Sequence, residues 1–321
     1  MRLGFAVKLL GRPELKSHDT RRWQSGPHLG VSLQYLRAIL EYLHLVQIHM
    51  YRLSSDLAPY LTHPDLPQFH GQLEECREEL AAVGELARRY DIRLSLHPGP
   101  YTVLNSADEA VARKSAADVA AQGRILDLMG QGPEAVVVLH AGSGAGGMVA
   151  ATARFVERFR ALPPQAQRRV ALENDEVVFA LGDILRIHEA TGVRLIFDLL
   201  HFHNHNPQRS TASDALRTAL DTWPRDQTPK IHASSPRTAM QITQERPPGG
   251  GRKVPVVHPP RWTQHSDYAD PFELIGFLRA ARDAGLRPFD VMLEVKSKEL
   301  GLLRLREDLA RFAPDLEGVW H

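Results

Sequence analysis

Apolar residues along the chain fall into two alternating rhythms. Short runs rich in β-branched residues recur at residues 2–7 (RLGFAV), 48–54 (IHMYRLS), 92–98 (IRLSLHP), 135–142 (AVVVLHAG), 169–175 (RVALEND), 193–200 (VRLIFDLL), 230–235 (KIHASS) and 290–296 (DVMLEVK). Runs of that length and composition predict buried strands. Between them lie longer amphipathic stretches such as LEECREELAAVGELARRY (73–90) and DEAVARKSAADVAAQGRILDLMG (108–130), the second ending on Gly130 as a helix C-cap would. Strand and helix alternating eight times predict parallel strands closed as a single α/β TIM (β/α)8 barrel. A doubly wound open sheet is the alternative.

The polar residues that end these runs are the informative ones. Arg52 ends the second, His97 the third, His140 the fourth and Glu173 the fifth. Asp198 with His201 ends the sixth, His232 the seventh and Glu294 the eighth. In a TIM barrel the C-terminal ends of all strands open onto one face, so residues far apart in sequence would converge in one bowl. One histidine at a strand end reads as a hydrogen-bonded core or rim residue, and one glutamate as a rim salt bridge. The set of them points to a site for borderline divalent ions. In Asp198-x-x-His201 a carboxylate and an imidazole can each reach a different ion. His203 and His205, just beyond, read either as further ligands or as loop surface.

Composition narrows the picture. The 321 residues are 43% hydrophobic and 24% charged with a net charge of +1, which is globular and neither demands nor excludes a polyanionic partner. The single cysteine, Cys76, rules out an internal disulfide framework and reads as an inert helix thiol. The start, MRLGFAVKLLGRP, carries Lys8 inside a short apolar run and lacks a small-residue cleavage site. No apolar stretch approaches the roughly 18 residues that span a membrane. The expectation is a cytoplasmic protein with no membrane partner and no obligate protein partner.

Together the motifs resemble the UV damage endonucleases, DNA-repair barrels distantly similar to endonuclease IV and the xylose-isomerase-like proteins. The resemblance runs through RLSS (52–55), THPDLP (62–67), RLSLHPGPY (93–101), VVLHAG (137–142), ALENDE (171–176), FDLLHFHN (197–204), PKIHAS (229–234) and MLEVKSKE (292–299). It implies metal ligands at His63, His97, His140, Glu173, Asp198, His201, His232, His265 and Glu294, holding up to three divalent ions, Mn2+ in the first instance. It places Lys230 beside them, either carboxylated or an ordinary strand-end cation, and gives Glu173, Glu294, Lys230 and His232 the catalytic roles. Residues 236–264 are Pro/Gly-rich and basic, longer than the resemblance leads one to expect, and read as an inserted flexible loop. That loop carries His258, which competes with His265 as ligand. His265 is preferred because H-S-D precedes the last helix, as the ligand does in the family it resembles.

The resemblance further implies double-stranded damaged DNA as partner, nicked 5′ to a UV photoproduct or another distortion. Lesion-probing positions fall on Phe5, Leu9, Pro100 and Tyr101, of which only Tyr101 keeps the family's residue type. Arg52, Lys296, Lys298, Arg252 and Lys253 read as phosphate contacts or as solvated surface cations. A sugar isomerase or epimerase on the same barrel, and a non-catalytic binder of distorted DNA, are the competing readings.

Overall fold

The computed structural model describes residues 1–317. All eight sequence-predicted strands are present as β1 (Leu3–Ala6), β2 (Met50–Arg52), β3 (Arg93–Ser95), β4 (Val137–His140), β5 (Val170–Glu173), β6 (Arg194–Ile196), β7 (Lys230–Ala233) and, after four short strands described below, β12 (Asp290–Leu293). They pair in parallel as β3-β2-β1-β12-β7 and β4-β5-β6. Single parallel bridges, Leu96 to Val137 and Asp198 to His232, join the two sheets at both seams, so the barrel closes. A helical connection follows each strand. Among them are α1 (Leu29–Leu45), α2 (Gln72–Glu75), α3 (Arg77–Arg89), α4 (Glu109–Leu128), α5 (Met148–Ala161), α6 (Pro164–Arg169), α7 (Leu181–Thr191), α8 (Leu199–Asn204), α9 (Ala212–Asp221), α10 (Pro271–Asp283) and α11 (Lys298–Phe312). Among the described residues no helix is long and apolar enough to cross a membrane.

Local chemistry explains the helix limits. Asp108 caps α4 by accepting from the amides of Ala110 and Val111, and Gly130, at φ +61°, ends it where the sequence placed a C-cap. The stretch expected as one helix over 73–90 breaks at Cys76 into α2 and α3. The Cys76 thiol is buried and its pKa is raised, first by burial, which keeps it protonated and inert.

Side chains alternate along each strand, so every second residue faces the barrel axis. Val136, Val138, Ala171 and Ile196 form one apolar patch with Trp223. Two residues beyond Val138, Ala171 and Ile196 stand His140, Glu173 and Asp198. The period that builds the core therefore also delivers the strand-end chemistry to one place.

The opposite end is closed by a polar plug. Buried Arg93 donates to Asp290 Oδ2 at 2.8 Å and to the carbonyls of Thr228 and Glu134, and its guanidinium lies over Trp223. Asp290 also accepts from the amide of Arg2 at 2.7 Å. Removing one partner of such a pair leaves an uncompensated buried charge, which costs about 3–5 kcal/mol. Asp290→Ala should lower the unfolding free energy in a urea titration by that amount; a change below about 1 kcal/mol would show that the plug is not structural.

The segment 236–264 departs from expectation. It is ordered rather than a flexible loop. β8 (Pro236–Arg237) pairs antiparallel with β11 (Arg261–His265), and between them β9 (Gln241–Glu245) and β10 (Val254–His258) form a hairpin with five paired positions. β-branched residues on both sides of Pro-Pro-Gly-Gly-Gly, Ile242 and Thr243 before it and Val254, Val256 and Val257 after it, carry that pairing. The turn-rich composition belongs to its tip alone.

Candidate metal centre

Glu173 lies on the barrel axis with no solvent exposure. Four imidazoles surround its carboxylate: His97 Nε2 at 3.2 Å and His140 Nε2 at 3.8 Å from Oε2, His232 Nδ1 at 3.0 Å and His201 Nδ1 at 3.4 Å from Oε1. His232 Nδ1 is also 3.1 Å from Glu294 Oε1, and His265 Nε2 is 3.8 Å from Glu294 Oε2. The rings form a crescent in the order His265, His201, His140, His97 and His232, with neighbouring centroids 5.3–6.2 Å apart.

Backbone and hydrogen bonds fix these groups. Asp198 caps α8, Oδ1 accepting from the amide of His201 at 2.7 Å, which turns that imidazole back toward Glu173. The Asn174 side chain spans the same bend, accepting from the Asp198 amide at 2.9 Å and donating to its carbonyl at 3.1 Å. Ser234 Oγ meets His265 Nδ1 at 2.6 Å, leaving Nε2 toward the centre. Arg52 bonds Glu294 Oε1 and fixes that carboxylate.

Electrostatics follow from burial and crowding. Burial pushes the Glu173 carboxyl up, but His232, His140 and His201 outweigh it and hold it well below the usual carboxylate range. Burial raises Asp198 and lowers His97 to about 4, so the His97 ring offers a free lone pair. His201 is opposed by burial but driven to about 11 by Asp198 and Glu173. An incoming cation would displace its proton. Lys230 Nζ, buried, bonds Ser95 Oγ at 3.1 Å; burial first, then Arg93 and Arg52, take its pKa well below the ammonium range.

The donor set fits divalent ions. His97, His140 and Glu173 place ligand atoms within 4.8 Å of one another, and so do Glu173, Asp198, His232 and Glu294. Buried atoms without a hydrogen-bond partner cluster here: Asp198 Oδ2, His140 Nδ1 and His232 Nε2. Buried polar atoms rarely lack partners, and cations are what unpaired carboxylate and imidazole atoms accept. Glu173 belongs to both groups, the position of a bridging carboxylate.

Not every sequence-derived residue joins the centre. His63 Nδ1 accepts from the Asp65 amide at 3.3 Å, its ring packs near Tyr60, and it lines a neighbouring groove of about 670 Å³ with Pro100 and Tyr101. His258 bonds Thr243 and Glu245 on the hairpin, and His203 pairs with Glu273, so neither enters the crescent. The His205 amide donates to the carbonyl of His201 at 2.8 Å at the end of α8, a backbone contact that does not bring its ring into the crescent.

The expected DNA contacts need correction at three positions. Phe5 is fully buried against Tyr51, 5.3 Å between centroids, and Leu9 is 4% exposed, so neither can present a face to a base. Arg52 is held by Glu294 rather than free for phosphate. Tyr101, 87% exposed, and Pro100 do stand at the rim. Lys296, Arg252 and Lys253 are exposed and Lys298 is half-buried.

Two participants carry no signal in the strand-end pattern. Asn174 holds the Asp198 bend, and Glu176 Oε2 stands 3.7 Å from His201 Nε2. Both lie in the same LENDE run as Glu173. The clustering of that run was the available clue.

A closed parallel barrel with a buried carboxylate–imidazole cluster at its C-terminal mouth is a TIM barrel with a candidate metal site. In fold it is similar to endonuclease IV from Thermus thermophilus (TM-score 0.56, 15% identity, covering 97% of this chain and 100% of that one). It is likewise similar to a D-psicose 3-epimerase from Clostridium cellulolyticum (TM-score 0.54, 12% identity, covering 98% and 92%). Residues 28–315 match the model of the UV-endonuclease UvdE family, and the chain belongs to that family. It is 30% identical over 286 residues to a UV DNA damage endonuclease of Bacillus velezensis, covering 88% of this chain and 82% of the relative. The solved structure of SacUVDE superposes with a TM-score of 0.78 at 30% identity, covering 97% and 98%.

Shared and unshared ligands give a test. Glu173→Gln should cost ions from both groups, whereas His140→Ala should cost only one, read as metal per chain after loading with Mn2+ and desalting. Equal losses in the two variants would contradict the bridging position of Glu173.

Proposed function

We propose that this protein is a cytoplasmic, metal-dependent DNA endonuclease that cuts the phosphodiester backbone of duplex DNA 5′ to UV photoproducts or other strong distortions. The observation that carries the reading is the Glu173-centred cluster at the barrel mouth, in a chain of the UvdE family. Up to three divalent ions, Mn2+ in the first instance, are the intended occupants. Bound there, they would supply a Lewis-acid clamp on the attacking and leaving oxygens and an ionised water near neutral pH.

The chain's own residues have separable tasks. Glu173, Asp198, His232 and Glu294 hold one group of ligand atoms, and His97 and His140 with Glu173 hold the other. Arg52 orients Glu294, and Asn174 fixes the Asp198 bend that delivers His201. Burial lowers the Lys230 ammonium and so favours the amine, which would take up carbon dioxide as a carbamate with loss of one proton and add a carboxylate beside Ser95. Tyr101 at the rim would offer a stacking face to an unstacked base, and Lys296 and Lys298 would contact phosphates.

The shape of the mouth supports a polymer substrate over a sugar. A groove of about 830 Å³ runs past Arg52, His97, His140 and Glu294, and it shares His18, Ser55, Asp56 and Pro100 with the groove that holds Tyr101. Each alone is large enough for a small-molecule ligand.

Irradiated, abasic and undamaged duplexes incubated with Mn2+ provide the test. Nicking of the irradiated duplex, weaker cutting of the undamaged one, and a loss of at least about 100-fold in Glu173→Gln are expected. Absence of nicking on all three duplexes, or full activity after metal removal, would overturn the reading.

A further inference from the structure

The β9–β10 hairpin rises from the lip of the metal centre and has a face that nothing in the described chain covers. Its strands pair without interruption from Gln241–His258 to Glu245–Val254. One face is internally satisfied: Thr243 Oγ1 lies 2.8 Å and Glu245 Oε1 2.7 Å from His258 Nε2. On the other face Ile242 and Val257 are direct cross-strand partners, 68% and 59% exposed, with Met240 beside them at 71%. Two large apolar side chains placed side by side in water mark a contact surface rather than random surface scatter.

The root of the hairpin is rigid. Arg237, buried, donates to the carbonyls of Ala239 and Pro259 at 3.0 and 3.1 Å, so one guanidinium staples both ends. Asn204 on α8 donates to the carbonyl of Trp262 at 3.1 Å. The returning strand β11 ends on His265, 3.8 Å from Glu294. Whatever sits on the metal centre therefore passes a fixed arm.

Charge and size identify what that arm meets. Residues 236–264 hold Arg237, Arg246, Arg252, Lys253 and Arg261 against one acid, Glu245, and His258 occupies that acid. Arg246, Arg252 and Lys253 flank the tip and are exposed. Five paired residues at about 3.3 Å each give an arm of roughly 17 Å. A two-stranded ribbon fits the major groove of B-DNA, about 12 Å wide, and only there does a thymine methyl offer an apolar contact.

We propose that the β9–β10 ribbon lies in the major groove of duplex DNA beside the cut site, with Ile242 and Val257 against base edges and Arg246, Arg252 and Lys253 on the flanking phosphates. This rests on the endonuclease reading. The ribbon takes the place that a flexible basic loop would hold, and it adds groove contact on the side of the mouth carrying His265. With Phe5 and Leu9 withdrawn into the core, recognition of the duplex shifts toward this arm and the Tyr101 rim.

The test uses the full chain and three undamaged duplexes. One is unmodified, one has its major groove filled by glucosylated hydroxymethylcytosines, and one is pre-bound by a minor-groove polyamide. Filling the major groove should weaken binding of the wild-type protein about tenfold, while the polyamide should leave it unchanged. Ile242→Ser/Val257→Ser should bind the unmodified duplex about tenfold more weakly and lose its sensitivity to the glucosyl groups. Displacement by the polyamide, indifference of the wild type to the glucosyl groups, or loss of self-association without loss of DNA binding in the double variant would each overturn the proposal. Nicking of an irradiated, unmodified duplex is run alongside. If the wild type nicks it yet ignores the major groove, the ribbon proposal alone fails; if it nicks nothing, the endonuclease reading fails.

Discussion

A fully buried carboxylate on the axis of the barrel constrains the rest of this structure. Glu173 has no water to solvate it, so its charge must be met by neighbours, and four imidazoles do so within 3.8 Å. Those imidazoles are buried or half-buried themselves and need a partner that can accept several lone pairs at once. Divalent ions satisfy both demands, because carboxylates and neutral imidazoles are their ligands. The Arg93–Asp290 plug at the other end shows the alternative solution, a buried charge met by its opposite and by backbone carbonyls. One end of the barrel is thus closed and stabilising, and the other is left in need of cations.

From that centre the arrangement extends outward in layers. Arg52 holds Glu294, Asn174 holds the Asp198 bend, and Ser234 holds His265, so each of these three groups is oriented by a neighbour outside the cluster. Beyond them two joined grooves lead to Tyr101 on one side, and the stapled hairpin stands on another. The arrangement suits a long, stiff, anionic substrate better than a small neutral one.

Much of this was legible in the sequence because a strand has a period of two and a barrel has one mouth. His140, Glu173 and Asp198 each stand two residues past an apolar residue of the barrel interior, so counting along a strand leads directly to the centre. Loop residues escape that counting. His63 lies in a loop whose course no period dictates, and the structure sets it in the adjacent groove. Matching positions along a chain carries no information on burial, which decides Phe5 and Leu9: β1 sits between β2 and β12, and its aromatic ring packs on Tyr51. In the 236–264 segment Pro and Gly dominate only the tip, while the β-branched residues on either side of it form the hairpin.

The central claim is that Glu173 bridges two ions. Electron paramagnetic resonance of the Mn2+-loaded protein tests it most directly, because two ions joined by one carboxylate are exchange-coupled and isolated ions are not. The account predicts a broad coupled spectrum in the wild-type protein that collapses to the sharp hyperfine pattern of isolated Mn2+ in His140→Ala. An isolated-ion spectrum from the fully loaded wild-type protein would contradict it.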